Sequence, residues 1–165
     1  MTAPAALVQL FEPWAKLYAD SKLITTIVVF GHVGSMLFAG GLAITLDRVT
    51  MRAVRSVEVR SRHLADLAGA HRVVVTGLAL SAVTGLLLFA SDVETYFVSW
   101  IFWTKMGLIA VLLANGYRMM LAENALRLAP ADAETDWRRM RVSAAVSLVL
   151  WFVIALAGVA LVNAS

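Results

Sequence analysis

The sequence predicts an all-α integral membrane protein, a four-helix bundle. Three observations carry that expectation: the composition, four long apolar blocks, and arginine confined to alternate links. Of 165 residues, 61% are hydrophobic and only 15% are charged, with a mean hydropathy of +0.80. Soluble domains are about 45–50% apolar and about 25% charged. One small core cannot hide such an excess, which excludes a cytosolic enzyme, a disordered tail or a secreted scaffold. The chain has no cysteine, so disulfides, thiolate metal sites and covalently attached c-type haem are excluded.

Residues 1–22 come first. They lack a basic stretch ahead of an apolar one and an obvious small-residue cleavage site, so a cleaved signal peptide is not expected. Leu7, Leu10, Phe11, Trp14 and Tyr18 fall near one helical face, with Lys16 and Lys22 beside them. That pattern suits an interfacial helix lying on a leaflet. Residues 23–165 form the transmembrane domain. Its spans are read at 23–46, 69–90, 97–120 and 142–162, each long enough for a hydrocarbon core about 30 Å thick. Period-two alternation is absent, and helices satisfy their own backbone in lipid, so each block reads as a helix.

The eleven arginines fall between spans one and two, at the base of span two, and between spans three and four. The short link Ser91–Tyr96 carries Asp92 and Glu94 and no basic residue. The positive-inside rule then puts both Arg-rich loops in the cytoplasm and both termini outside, in a bacterial inner membrane. The net charge of +3 and pI near 9.7 are thus a topology signal, and no nucleic-acid partner is expected. Trp100 and Trp103 suit an outer aromatic belt and Trp137 an inner one. The first Arg-rich link reads as partly helical, Pro130 as a turn, and His63 as cytoplasmic surface.

Ionisable residues at membrane depth are costly and mark function. Span one carries His32, roughly 13 Å below the outer surface at 1.5 Å per residue, and span three carries Lys105, roughly 12 Å below it. A neutral imidazole and a neutral amine at one level can ligate a metal between two helices, and bundle cores hold haem. Gly31, Ser35 and Ala39, with Gly34, Gly40 and Gly41, strip bulk from span one around His32, as a flat macrocycle needs. Close helix packing is the other reading of those small residues. Lys105 can alternatively snorkel or pair with Asp92 or Glu94. Asp47, His71, Arg72 and Asn115 form a polar group at the inner end, suited to a propionate, an anionic head group, a quinone carbonyl or a plain solvated helix end. No nucleotide-binding loop, zinc-protease helix or hydrolase triad is present.

The runs GHVGSMLFAGGLAITLDR, HRVVVTGLALSAVTGLLLF and WIFWTKMGLIAVLLAN resemble a bacterial family of small four-span membrane proteins of unassigned function. More distantly they resemble the HemJ-type protoporphyrinogen oxidases and the CopD-like copper-resistance membrane domains. The HemJ resemblance implies haem b, with His32 and Lys105 in the positions of its His and Lys ligands. The chain departs from that pattern at Phe38, where a Trp is expected, and after Arg48, where a Tyr-His pair is missing. The resemblance therefore implies a haem-bearing scaffold rather than porphyrinogen oxidation.

Function is accordingly expected to be electron transfer or oxidoreduction by a membrane-embedded haem protein, with a quinone or redox partner. The alternatives are a cofactor-free accessory or assembly subunit of a larger complex, or a small transporter. Membrane lipid is the expected surround, and the small-residue faces suit a homodimer.

Overall fold

The computed structural model describes residues 2–52, 57–128 and 133–164, with side-chain surroundings for 2–52, 69–127 and 134–163. Pro130 and the side chain of His63 lie outside the described residues. Six helices follow in order: α1 (Ala5–Asp20), α2 (Lys22–Arg52), α3 (Val57–Ser91), α4 (Val93–Val98), α5 (Trp100–Leu128) and α6 (Ala133–Ala164). There is no strand among the described residues. Among the described residues three helical segments are long and apolar enough to cross a membrane: Lys22–Arg52, Gly69–Ser91 and Glu134–Asn163. These make the chain a multi-pass α-helical membrane protein. In α5 the apolar run is interrupted by Lys105, Asn115 and Arg118.

Many large apolar side chains face outward, while the buried set mixes apolar residues with polar ones. Phe30, Leu37, Phe38, Leu86, Phe152, Leu156 and Val162 are exposed, whereas Ser35, Asp47, Thr50, Thr84, Asn115, Glu123 and Ser143 are buried. Apolar-out and polar-in is what a lipid surround selects. Hydroxyls inside the helices bond back to their own backbone: Thr45 to Gly41 O at 2.8 Å, Thr76 to Arg72 O at 2.9 Å and Thr84 to Leu80 O at 2.8 Å. Each thereby satisfies a polar group without water.

The helices pack as two antiparallel pairs. α2 lies on α3, α5 lies on α6, and α2 joins the pairs through α6. Glycine sets the closest approaches. A Cβ at Gly77 would stand 2.7 Å from Ala39 Cβ, and one at Gly40 would stand 3.0 Å from Trp151 Cε3. Ala39, Leu112, Trp151 and Ile154 form the central core. A second core of Met119, Ala122, Leu126, Trp137 and Met140 lies toward the Arg-rich end. Trp137, expected in an interfacial belt, is instead 2% exposed, because the start of α6 turns it against α5. Trp100 and Trp103 are exposed, as a belt requires.

The link before α5 is itself structured. Asp92 caps α4, its carboxylate accepting from the Thr95 N–H at 3.2 Å. Ser99 then takes an extended conformation, and its hydroxyl accepts from the Phe102 N–H at 3.4 Å. The helix expected to begin at Phe97 therefore starts at Trp100, after a one-residue break. α1 packs beside α3 and α2, anchored by the Trp14 indole donating to Leu87 O at 2.8 Å. Of its expected apolar face, Leu7, Phe11, Trp14 and Tyr18 are half-buried and Leu10 is exposed.

Candidate functional site

Two polar sites lie inside the bundle, one at mid-depth and one at the Arg-rich end. The mid-depth site is built on His32. Its Nδ1 lies 3.0 Å from Ser81 O and 3.3 Å from Thr84 Oγ1. A carbonyl oxygen only accepts, and the Thr84 hydroxyl already donates to Leu80 O and Ser81 O. The proton therefore sits on Nδ1, which donates to α3. Nε2 then carries the lone pair. Gly85 makes this contact feasible: a Cβ there would stand 3.0 Å from His32 Cε1.

Lys105 is half-buried on α5. Its Nζ lies over Gly158 of α6, 3.6 Å from where a Cβ would be. Among the described residues it pairs with neither Asp92 nor Glu94, and no acceptor meets its amine. His32 and Lys105 are near enough to interact electrostatically.

Packing puts both at one level. Phe89 and Phe102 stack with centroids 5.1 Å apart, aligning α3 with α5. Lys105 follows Phe102 by ~4.5 Å of helix, and the Ser81–Gly85 wall of His32 precedes Phe89 by ~6–12 Å. The Gly40–Trp151 contact aligns α2 with α6. His32 lies ~12 Å back along α2 from it and Gly158 ~10.5 Å on along α6. Each basic side chain thus faces a glycine at about the same depth. Of the other small residues expected here, Ser35 and Ala39 are buried on the same helix. Ser35 donates to His32 O at 3.1 Å, and a Cβ at Gly31 would meet Thr84 Cγ2 at 3.2 Å.

The second site gathers ionisable groups from three helices. His71 Nδ1 lies 3.1 Å from Glu123 Oε2. Arg127 grips the other oxygen, Nη2 at 2.7 Å and Nε at 3.2 Å. Asp47, 3% exposed, is within electrostatic reach of His71 and lies beside Ser147 of α6. Its Oδ2 has no hydrogen-bond partner among the described residues. Glu123 follows the apolar stretch of α5. Burial pushes its carboxyl up, but the contacts from His71 and Arg127 outweigh this and hold it below the ordinary 4.5. Of the four residues expected together at this end, Asp47 and His71 come within electrostatic reach of each other. Asn115 instead bonds across α5 and α6, its amide donating to Ser143 O at 2.8 Å. Arg72 is exposed and lines a groove between α2 and α3.

Glu123 was not anticipated from the sequence. Beside Arg127, four residues on, it reads as an exposed helix pair. The signal that finds it is register: Leu112, Asn115, Met119, Ala122, Glu123 and Leu126 are buried along one face of α5.

No group of three or more His, Cys, Asp or Glu able to hold a metal ion is present among the described residues. Comparison with protein-family models, curated proteins and solved structures finds no match.

Proposed function

We propose that this chain is a four-span protein of the bacterial inner membrane that holds one haem b through His32 and Lys105 for electron transfer or oxidoreduction. In this reading α5 is the third of four spans, the Arg-rich end is cytoplasmic and both termini are outside. The observation that carries the reading is the polarity of His32. With Nδ1–H donated to Ser81 O at 3.0 Å, the imidazole is fixed in the tautomer that offers Nε2 to a metal, the orientation that metal-binding histidines receive from their outer hydrogen bond.

Three further features support it. Lys105 is a membrane-depth amine with no acceptor among the described residues, and such a group is costly unless it is used. His32 and Lys105 share a level, and Gly85 and Gly158 leave room for their side chains to lie against the neighbouring helices. A bare ion needs three or more side-chain ligands from the protein, whereas a porphyrin brings four nitrogens and leaves two positions. Two side chains then suffice. Haem would supply a one-electron iron couple. The chain's own part is to present Nε2 of His32, to let the Lys105 amine shed its proton for ligation, and to exclude water with Phe89, Phe102 and the apolar helices. A quinone or protein redox partner would exchange electrons with the site.

The test is an absorption spectrum of the protein purified in mild detergent from haem-replete cells. A Soret band that shifts on reduction, vanishes in His32→Ala and moves in Lys105→Met is expected. A colourless, folded protein overturns the reading, and an unchanged Lys105→Met spectrum removes Lys105 from it. The competing reading is a cofactor-free subunit of a larger complex. It draws on the exposed stripe Phe152, Leu156, Val159 and Val162 of α6, and a colourless protein that copurifies with a membrane complex would favour it.

A further inference from the structure

The α2–α3 pair carries an open groove of about 500 Å³. Its walls include Gly34, Phe38, Val73, Gly77 and Leu80, and its one charged residue is Arg72. The groove runs between the two helices past Gly34, and its flanks, Phe38 and Leu80, are exposed. Arg72 lies just inside the Arg-rich end of the Gly69–Ser91 span. It is exposed and pairs with no acidic side chain among the described residues. An apolar trough ending in an unpaired guanidinium at the depth of lipid phosphates matches one molecule by charge and by shape.

We propose that this groove is a binding site for an anionic phospholipid, with an acyl chain along Phe38, Gly77 and Leu80 and the phosphate on Arg72. Guanidinium groups chelate phosphate oxygens in pairs, and basic pockets between membrane helices hold anionic head groups. The other helix pair repeats the design. A smaller groove of about 210 Å³ between α5 and α6 is lined by Val111, Val142 and Val146 and carries Arg118 as its one charge. A second copy of the chain is the weaker occupant. A two-fold axis along the membrane normal through this face would bring Arg72 toward its own mate, so like charges would meet. The site is independent of haem.

Native mass spectrometry of the detergent-solubilised protein tests this with phosphatidylglycerol and phosphatidylcholine of identical acyl chains. Wild-type protein is expected to retain phosphatidylglycerol in preference to phosphatidylcholine. Arg72→Gln should weaken phosphatidylglycerol binding about five-fold, whereas Arg48→Gln, outside the groove, should leave it nearly unchanged. Leu80→Trp fills the trough from an exposed position and should displace the lipid without unfolding the protein. Equal retention of the two lipids, equal loss in Arg48→Gln and Arg72→Gln, or a dimer mass that Leu80→Trp abolishes would overturn the proposal. Because the readout is lipid mass, a colourless protein leaves this test intact.

Discussion

His32 and Lys105 at mid-depth, and Asp47, His71, Glu123 and Arg127 at the Arg-rich end, solve the same problem in opposite ways. Both regions take titratable groups out of water, which costs several kcal/mol per unpaired charge. At the Arg-rich end the cost at Glu123 is offset internally, although Asp47 Oδ2 stays without a hydrogen-bond partner among the described residues. Glu123 is met by His71 and by two nitrogens of Arg127, and the cluster ties α3 to α5. At mid-depth the balance is left open. His32 spends Nδ1 on α3, and Lys105 finds a glycine where an acceptor would be expected. A satisfied network specifies structure, whereas an amine held without an acceptor supports the ligand site proposed above.

The largest effect is expected from breaking the satisfied region. Glu123→Ala leaves His71 and Arg127 facing each other without the carboxylate. It should cost about 3 kcal/mol, read as a lowered thermal unfolding midpoint in detergent. A variant as stable as wild type would reduce the cluster to surface decoration. Next comes Gly85→Ala, whose Cβ would press His32 Cε1 from 3.0 Å. It should cost about 1–2 kcal/mol through overpacking and disturb any spectrum that depends on the imidazole, while the corresponding change at Gly41, where a Cβ meets nothing within 4 Å, should do neither.

Lys105→Met sharpens the contrast by its sign. Removing an amine without an acceptor should raise the stability of protein from haem-deficient cells by about 1 kcal/mol, the reverse of Glu123→Ala. A destabilised Lys105→Met would mean that the amine holds a partner essential to the fold. The smallest effect concerns pH. The Glu123 carboxyl is held below its ordinary 4.5 in the folded protein, so its contribution is complete above that value and is lost as pH falls through the folded one. The unfolding midpoint of wild type should therefore decline in that acidic window more steeply than that of Glu123→Gln.

Legibility in the sequence differed between the two regions for a physical reason. His32 and Lys105 are single ionisable residues in apolar runs, so counting 1.5 Å per residue from the ends brings them to one level. Nothing in that count says which nitrogen of His32 is free, because Ser81 and Thr84 are about fifty positions away in the chain. Glu123 sits in a mixed stretch, Ala122 to Arg127, where an acidic residue four before a basic one reads as solvent surface. Its burial comes from the bundle around it, His71 of α3 included, and no local pattern encodes that. Trp137 shows the same limit, since an aromatic beside arginines suits an interface until α5 covers it.

By itself, the sequence determined the all-helical class and the apolar segments, because backbone satisfaction in lipid depends on local i to i−4 bonds and on length alone. It also determined the Arg-rich end, since charge placement is a property of the chain. Tertiary structure decided which helices pair, where Gly77 meets Ala39 and Gly40 meets Trp151, and that Arg72 opens onto a groove while Asp47 and Glu123 turn inward. Those outcomes depend on helix rotation, which small residues permit and long-range contacts select.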